Sequence, residues 1–529
     1  MKWQLPAPAG PGASRWCACG FPGRGGRSAA ILTLIACLVG PAAASPAFAR
    51  FGFNDVVAKA EALARRPFED PRGQVPHWLL EISYDQWRDI RFRPERALWR
   101  QERLPFTVQF FHPGLFYDRP VTVNIVGSTG TSTVEFSPSD FDYGQTQLGS
   151  RVPQDLGFAG FRLHYPIKTP AYQDEVIVFL GASYFRAVGK EQGFGASARG
   201  IAIDTASSTG EEFPYFREFW ILRPSANAAD IQVFALLDSP SLTGAYRFVV
   251  QPGAETIVDV EGRLSFRRAV TKLGIAPLTS MFFYGENTTR SIADFRPEVH
   301  DSDGLLLAAS SGEWIWRPLD NPESLRVSGF RMTDPVGFGL LQRDRDFDHH
   351  QDLETRPDRR PSIWVAPKEP WGPGRVELVE IPTHADTNDN VVAYWVPDVL
   401  PPPDKPLAFS YRMHWFDDHG MRPPGGRTLA TRTEPGTGER ARRFVVDFTG
   451  KDLNKVPTDS VLRGVITIGS NTDGSGGLLE QQVLKNPVTG GWRLVFQVRP
   501  EDDRPLELRA FLQQKDRALT ETWSYVMGQ

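Results

Sequence analysis

Short runs of apolar residues, many alternating with polar residues, recur along most of the chain. Alternation with a period of two is typical of a β-strand with one buried face. The clearest runs cover residues 106–111, 121–126, 175–180, 231–237, 246–250, 375–381 and 391–396. Clusters of Gly, Pro, Asn and Asp separate them, and the 48 glycines and 44 prolines suit many short strands joined by turns. The pattern predicts an all-β fold, a large β-sandwich or barrel-like architecture.

Helical periodicity is confined to a few segments that precede the first strands. Asn54 can cap a helix over residues 55–66, whose apolar residues share one face. Residues 83–88 and 94–100 predict short helices.

A segment rich in proline and glycine, residues 397–440, interrupts the strand pattern. It encloses an apolar run at 407–415, which we predict as the last strand of the first domain. The strand-like runs that follow cover residues 444–448, 461–468, 492–498 and 506–512. Because the chain is too long for one ordinary core, we predict a large β-sandwich at 50–416, a linker at 417–429 and a small immunoglobulin-like β-sandwich at 430–529.

The first 49 residues have the pattern of a cleavable export signal. Residues 1–27 carry four basic and no acidic residues, residues 28–40 are apolar, and Ala47 and Ala49 fit the small-residue cleavage rule. Residues 34–37 loosely resemble a lipobox, so lipidation of Cys37 is an alternative. The apolar run continues past Cys37, and the site at Ala49 favours cleavage. We therefore predict an exported, periplasmic protein.

Composition then narrows the possible chemistry. All three cysteines lie within residues 1–37, so the mature chain would have no disulfide, thiol nucleophile or cysteine–zinc site. The chain has 59 basic and 63 acidic residues, and this mildly acidic balance is unfavourable for binding nucleic acid or an anionic membrane. Motifs for a serine-hydrolase elbow, a Walker loop, a dinucleotide fold and a zinc protease are all missing from the sequence.

An acid-rich run at residues 343–354 invites a metal interpretation. Counted from Asp344, an EF-hand loop needs glycine and glutamate where this chain has His349 and Thr355. The arginines between the acids also offset the negative charge that a cation needs. We therefore favour a salt-bridged loop whose arginines could bind sugar hydroxyls, and predict neither a metal nor another cofactor.

Two further acidic loops lie beside aromatic strands. Asp301 shortly precedes Trp314 and Trp316, and Asp389 precedes Tyr394. Aromatic faces stack on sugar rings, and a pair of carboxyl groups can cleave a glycosidic bond. The simpler alternative is that each aspartate belongs to a turn and each tryptophan to the core.

These residues belong to a longer set of stretches by which the chain closely resembles the periplasmic glucan biosynthesis protein G/D family of Gram-negative bacteria. The resemblance extends from about Phe53 to Tyr525. It is carried by residues 155–161, 180–186, 211–214, 218–220, 237–240, 243–246, 276–282, 313–318, 337–343, 380–382, 387–390, 486–489 and 521–525.

The resemblance implies a large β-sandwich of the galactose-mutarotase type joined to an immunoglobulin-like domain. It also implies a role in making osmoregulated periplasmic glucans, by inverting hydrolysis or by transfer on β-1,2-glucan. The family pattern makes Asp389 the general acid and Asp301 the general base. We expect burial against Tyr394 and Trp395, or nearby acids such as Asp386, to keep Asp389 protonated.

The expected partner is β-1,2-glucan, and the membrane glucan synthase is a further candidate. The oligomeric state is left open. We predict the following side chains to contact the glucan: Trp314, Trp316, Arg343, Arg360, Trp364, Thr387, Asn388 and Tyr394.

One position departs from the family pattern. Members often carry a tyrosine three residues before the sequence Arg360-Pro361-Ser362, where this chain has Pro357. The departure leaves open the balance between hydrolysis and transfer. It also leaves open a second hypothesis, that of a protein that binds glucan, or recruits the synthase, without cutting.

Overall fold

Most of the chain is folded into β-strands. The computed structural model describes residues 51–146, 148–288, 293–417, 423–469 and 476–528, so the predicted export signal lies outside the described residues. The prediction of an all-β sandwich fold is confirmed. No helix of the described part is long and apolar enough to cross a membrane.

A fifteen-stranded sheet forms the larger layer, and nearly all of its neighbouring strands are antiparallel. In spatial order its strands are Arg463–Gly469, Leu506–Gln514, Thr522–Met527, Trp314–Pro318, Gly304–Ala308, Gly337–Leu341, Ser362–Pro367, Leu407–Phe416, Thr256–Phe266, Leu242–Gln251, Ile231–Asp238, Tyr215–Leu222, Thr122–Gly127 and Gly130–Thr133, and Arg517–Ala518 pairs with Leu506–Gln514.

A ten-stranded sheet forms the second layer. Its strands, in spatial order, are Thr107–Phe111, Gly160–Tyr165, Asp174–Leu180, Tyr184–Ala187, Ser197–Arg199, Leu273–Ser280, Val391–Pro397, Pro373–Glu380 and Arg326–Thr333, and Ile201–Ile203 pairs with Leu273–Ser280. Phe161 of this sheet contacts Phe219 of the larger one, with ring centroids 5.0 Å apart, and Phe179 contacts Phe248 at 5.1 Å. The main core therefore lies between the two sheets.

Smaller sheets and short helices complete the described chain. The four-stranded sheet consists of Arg427–Pro435, Arg442–Thr449, Trp492–Pro500 and Gly476–Lys485, and the two-stranded sheets pair Arg91–Phe92 with Phe141–Asp142 and Phe282–Tyr284 with Val299–His300. The α-helices are Phe53–Ala64, His77–Leu80, Tyr84–Asp89 and Phe347–His350, and the 3₁₀ helices are Pro94–Arg96, Pro138–Asp140, Leu148–Arg151, Pro357–Arg359 and Leu453–Lys455.

The predicted helices are present with shifted ends. The first begins at Phe53, so the expected cap at Asn54 is wrong; Asp55 instead accepts a hydrogen bond from the Gly52 amide at 2.7 Å. The predicted helix 83–88 is the helix Tyr84–Asp89, and Ser83 lies before it as its N-terminal cap. Of the stretch 94–100, only Pro94–Arg96 is helical.

The C-terminal strands extend the larger sheet. Strand Thr522–Met527 runs parallel to Trp314–Pro318, with Trp523 opposite Trp316. A second hydrophobic core forms there, from buried side chains of residues 306–416 and of residues 444–527. Strand Arg427–Pro435 begins inside the predicted linker, and the described residues between 51 and 528 form one compact unit. The division into two domains stays a prediction.

Candidate active site

Asp301 follows the short strand Val299–His300 and is almost fully buried. Its amide donates to the Met281 carbonyl at 2.8 Å. The preceding His300 is fixed by two acceptors, Glu298 Oε2 and Gln342 Oε1, each 2.9 Å from a ring nitrogen. Burial lowers the pKa of His300, but the contact with Glu298, the charge of Asp303 and the hydrogen bond with Gln342 together raise it above its usual value. The His300 side chain, held by these two hydrogen bonds, therefore anchors the backbone that carries Asp301.

Arg360 forms an ion pair with Asp301, and the two side chains each retain 11% exposure. Arg360 follows the turn Pro357–Arg359, in which the Pro357 carbonyl accepts a hydrogen bond from Gln342 Nε2 at 3.2 Å. A Cβ on Gly195 would lie 2.8 Å from Arg360 Cδ, so glycine leaves room for the arginine. Burial lowers the pKa of Arg360 to about 10, and the arginine remains cationic at neutral pH. The loop with Pro357 thus positions the partner of Asp301.

Asp389 lies in the loop before strand Val391–Pro397. The buried Asn390 side chain holds this loop, because it accepts from the Phe282 amide at 2.8 Å and donates to the Phe282 carbonyl at 2.9 Å. Asp389 Oδ2 lies 3.6 Å from Arg186 Nη2, and its side chain is 36% exposed. The expected burial of Asp389 is therefore wrong.

A second arginine, Arg296, binds three acids, and one of them is Asp386 in the loop of Asp389. Arg296 Nη1 contacts Asp386 at 2.9 Å and Asp352 at 3.4 Å, and its Nη2 contacts Asp294 at 2.7 Å. The hydrogen bond from Arg296 holds the pKa of Asp294 well below its usual range. Asp386 therefore has a cationic partner of its own. This ion pair with Arg296 gives no support to the expectation that Asp386 keeps Asp389 protonated.

The two candidate carboxylates belong to one charged cluster. Arg360 contacts Asp301 directly, and the charges of Arg186 and Asp389 both act on Arg360. Arg186 in turn contacts Asp389. Sequence reasoning singled out neither Arg186 nor Arg296. Arg186 ends the stretch 180–186 that carries the family resemblance, which is the one signal that could have pointed to it.

Thr387 and Asn388 are exposed in the same loop as Asp389 and remain available to a ligand. Tyr394 is fully buried, and its hydroxyl donates to Glu377 Oε2 at 3.0 Å. Alternation along strand Val391–Pro397 does not bring Tyr394 to the surface, because both faces of this central strand are covered. Its side chain presents no face to a ligand.

Arg343, Trp316 and Trp364, which were also predicted to contact the glucan, are buried beside the second core instead of lying beside Asp301 and Asp389. Arg343 forms a bidentate pair with Glu521 at 2.7 and 3.0 Å, and its guanidinium lies 3.6 Å from the Trp316 ring centroid. Trp364 is 1% exposed and stacks on the half-buried Trp314, with centroids 5.6 Å apart. These four side chains pack toward the C-terminal strands.

The acid-rich loop, which reaches Arg296 through Asp352, also has contacts of its own. Asp346 caps the helix Phe347–His350, and His349 Nδ1 lies 2.6 Å from Asp344 Oδ2. Among the described residues, Glu298, Asp344 and His349 form the one group whose ligand atoms lie close enough, within 4.8 Å, to hold a metal. Nearby, burial raises the pKa of Glu286 to about 8.

Comparison with known proteins agrees with the resemblance read from the sequence. The family model described as "Periplasmic glucan biosynthesis protein, MdoG" matches residues 51–527. The chain is also similar to "Glucans biosynthesis protein G" of Ralstonia nicotianae, with 50% identity over 498 residues, or 92% of this chain and 97% of that protein.

Proposed function

The chain belongs to the periplasmic glucan biosynthesis protein family, and from that premise we propose that it shortens or rearranges β-1,2-glucan backbones during glucan synthesis. It would act in the periplasm, where these glucans are built. The observation that carries the proposal is the shared charged cluster of Asp301 and Asp389, which come from separate segments of the chain.

The proposed chemistry uses the two carboxyl groups in different roles. Asp389 donates a proton to the leaving oxygen, and Asp301 draws a proton from the attacking water. Inversion at the anomeric carbon needs that water on the face opposite the leaving group. The exposure of Asp389 suits contact with a polymer. Arg360 compensates the charge of Asp301, whose side chain is only 11% exposed.

The test is incubation of linear β-1,2-glucan with the wild type and with Asp389→Asn. We expect the substitution to slow chain shortening or rearrangement about 10²- to 10⁴-fold, the usual contribution of general acid catalysis. Asp398→Asn is the matched control, because Asp398 follows the other end of the same strand and pairs with Arg331 at 2.7 Å. A wild type that neither shortens nor rearranges the glucan would refute the enzymatic proposal.

A second candidate function is glucan binding without cleavage, with the protein guiding nascent glucan or contacting the membrane synthase. The observation that favours it is the pairing of both carboxylates with arginines, since such ion pairs can hold sugar hydroxyls without any proton transfer. A second reason is the loop before Arg360, where this chain has Pro357 and family members often carry a tyrosine. This function predicts that wild type and Asp389→Asn bind glucan equally and release no products.

A further inference from the structure

Glu298, Asp344 and His349 bring three metal-binding groups together from two segments of the chain. Their ligand atoms all lie within 4.8 Å of one another. We propose that these three side chains bind one divalent transition-metal ion, Zn²⁺ or an ion of similar chemistry. The ion would join the segment just before Asp301 to the acid-rich loop. The proposal does not depend on the proposed function, because it concerns a different group of residues.

The backbone already holds the two segments in contact. The Glu298 amide donates to the His349 carbonyl at 2.9 Å. Glu298 Oε2 lies 2.9 Å from His300 Nε2, and Asp344 Oδ1 accepts from the Asp346 amide at 3.1 Å. One oxygen of each carboxylate is therefore fixed by a neighbour, as is usual for carboxylates that bind a metal.

The ligand atoms need to move little to share an ion. His349 Nδ1 lies only 2.6 Å from Asp344 Oδ2, a contact that holds one proton between them. A tetrahedral zinc ion with bonds of about 2.1 Å holds its ligand atoms about 3.4 Å apart. A separation of 4.8 Å closes to this value when each of the two atoms moves by about 0.7 Å. The ion would then take the place of the shared proton.

A small cavity beside these ligands is strongly acidic. Its volume of about 30 Å³ is enough for an ion or a water molecule. Four carboxyl groups line it, those of Glu286, Glu298, Asp303 and Asp344. His300 is the one basic side chain among the described residues that line it. Because neighbouring carboxylates repel one another, this lining favours a cation over a water molecule.

A buried hydroxyl in the wall of this cavity lacks a partner. Thr428 is 2% exposed, and its Oγ1 makes no hydrogen bond within the described part of the chain. Buried hydroxyls are nearly always hydrogen-bonded. A water molecule bound to the ion would donate to Oγ1 and would complete the four ligands of a zinc site.

The arginines of the acid-rich loop do not oppose a cation, although their charge counts against one in the sequence. Arg343 pairs with the buried Glu521, and Arg345 donates to the Asp358 carbonyl at 3.2 Å. Neither arginine lines the acidic cavity. The folded chain therefore gives both of them partners outside this loop.

The ligands and their exposure also indicate which ion fits and how it enters. An imidazole with two carboxylates suits Zn²⁺ better than Ca²⁺, which takes six to eight oxygen ligands. Asp344 and His349 also line a larger open cavity of about 800 Å³, and the His349 side chain is 46% exposed. An ion can therefore reach the ligands from solvent.

The test measures Zn²⁺ binding by titration calorimetry, with untagged protein that has been treated with EDTA. The variants are His349→Gln and Asp344→Asn. His77→Gln is the matched control, because His77 and Glu81 form an exposed pair of the same type at 3.3 Å and belong to no group of three such residues in the described chain. We expect the wild type and the control to bind one Zn²⁺ per chain, and each ligand variant to bind it about 100-fold more weakly.

The outcomes either support or overturn the site. A wild type that binds no Zn²⁺, or that binds it with the same affinity as His349→Gln, overturns the proposal. Tighter binding of Ca²⁺ than of Zn²⁺ overturns it as well. If both ligand variants are unfolded by circular dichroism, wild-type crystals soaked in Zn²⁺ decide: anomalous density about 2.1 Å from the three side chains supports the site, and its absence overturns it. None of these measurements involves glucan, so the proposed function is tested separately.

Discussion

Two arginine–carboxylate pairs show how similar residues acquire different roles in this molecule. Arg343 and Glu521 form a bidentate pair whose side chains are 4% and 0% exposed. Arg186 and Asp389 meet at a single distance of 3.6 Å, with 43% and 36% exposure. The first pair is enclosed by the second core, and the second pair lies open to solvent.

The difference has an energetic meaning. A buried charge that loses its partner is left in a medium that solvates it poorly, so removing one partner is costly. An exposed pair exchanges its contacts with water at little cost. We therefore assign stability to the buried pair and ligand contact to the exposed pair, and the following predictions test that division.

The largest effect is expected at the buried pair. Arg343→Met leaves Glu521 charged and enclosed, and should lower the free energy of unfolding by about 3–5 kcal/mol. Urea denaturation followed by tryptophan fluorescence measures this change. Combining Arg343→Met with Glu521→Leu should recover most of the loss, since no buried charge remains. A loss below about 1 kcal/mol in the single variant would show that the pair is not structural.

A pH effect is expected in the same region at Glu286. This side chain contacts Arg432, and burial raises its pKa from 4.5 to about 8. Between these two values the folded state holds a proton that the unfolded state has lost, so stability falls as the pH rises. For a fully buried group, each pKa unit of difference between the folded and unfolded states corresponds to about 1.36 kcal/mol of stability. Because 23% of the Glu286 side chain is exposed, we expect the free energy of unfolding to fall by about 2 kcal/mol, less than half of that full effect.

Glu286→Gln tests this directly, because the amide keeps the acceptor for the Thr431 amide and cannot ionise. The variant should be about as stable as the wild type at pH 5 and more stable at pH 8, by urea denaturation at both values. Parallel pH curves for the two proteins would contradict the raised pKa.

A smaller effect is expected at Tyr394, a residue that the sequence assigned to glucan binding. Tyr394→Phe removes a hydrogen bond to the charged Glu377 and should cost about 1.5 kcal/mol. Lys272 and Arg375 still pair with Glu377, which limits the loss. Glucan affinity should not change. A variant of normal stability with weakened glucan binding would instead place Tyr394 in the site.

The sequence predicted the strands well because alternation and turn residues are local signals. Asp301 and Asp389 were singled out by their loops and by the family resemblance. The burial of Trp316 could not be predicted from the sequence, since it depends on a parallel pairing with Trp523 about two hundred residues later. Arg186 was missed for the same reason: only the folded chain brings it to Asp389. A local pattern identifies residues of a suitable chemical type. Pairing between strands that are distant in the sequence decides which of those side chains remain exposed to solvent.

The smallest stability effect is expected where the largest functional effect is proposed. Asp389→Asn removes one partner of an exposed pair with a 3.6 Å contact, so the free energy of unfolding should change by no more than about 0.5 kcal/mol. The loop itself is held by Asn390, which the substitution leaves intact. Urea denaturation of Asp389→Asn beside Arg343→Met gives the comparison in one experiment. A loss above about 1.5 kcal/mol in Asp389→Asn would mean that this carboxylate supports the fold, and any drop in glucan processing by the variant would then no longer identify a catalytic group.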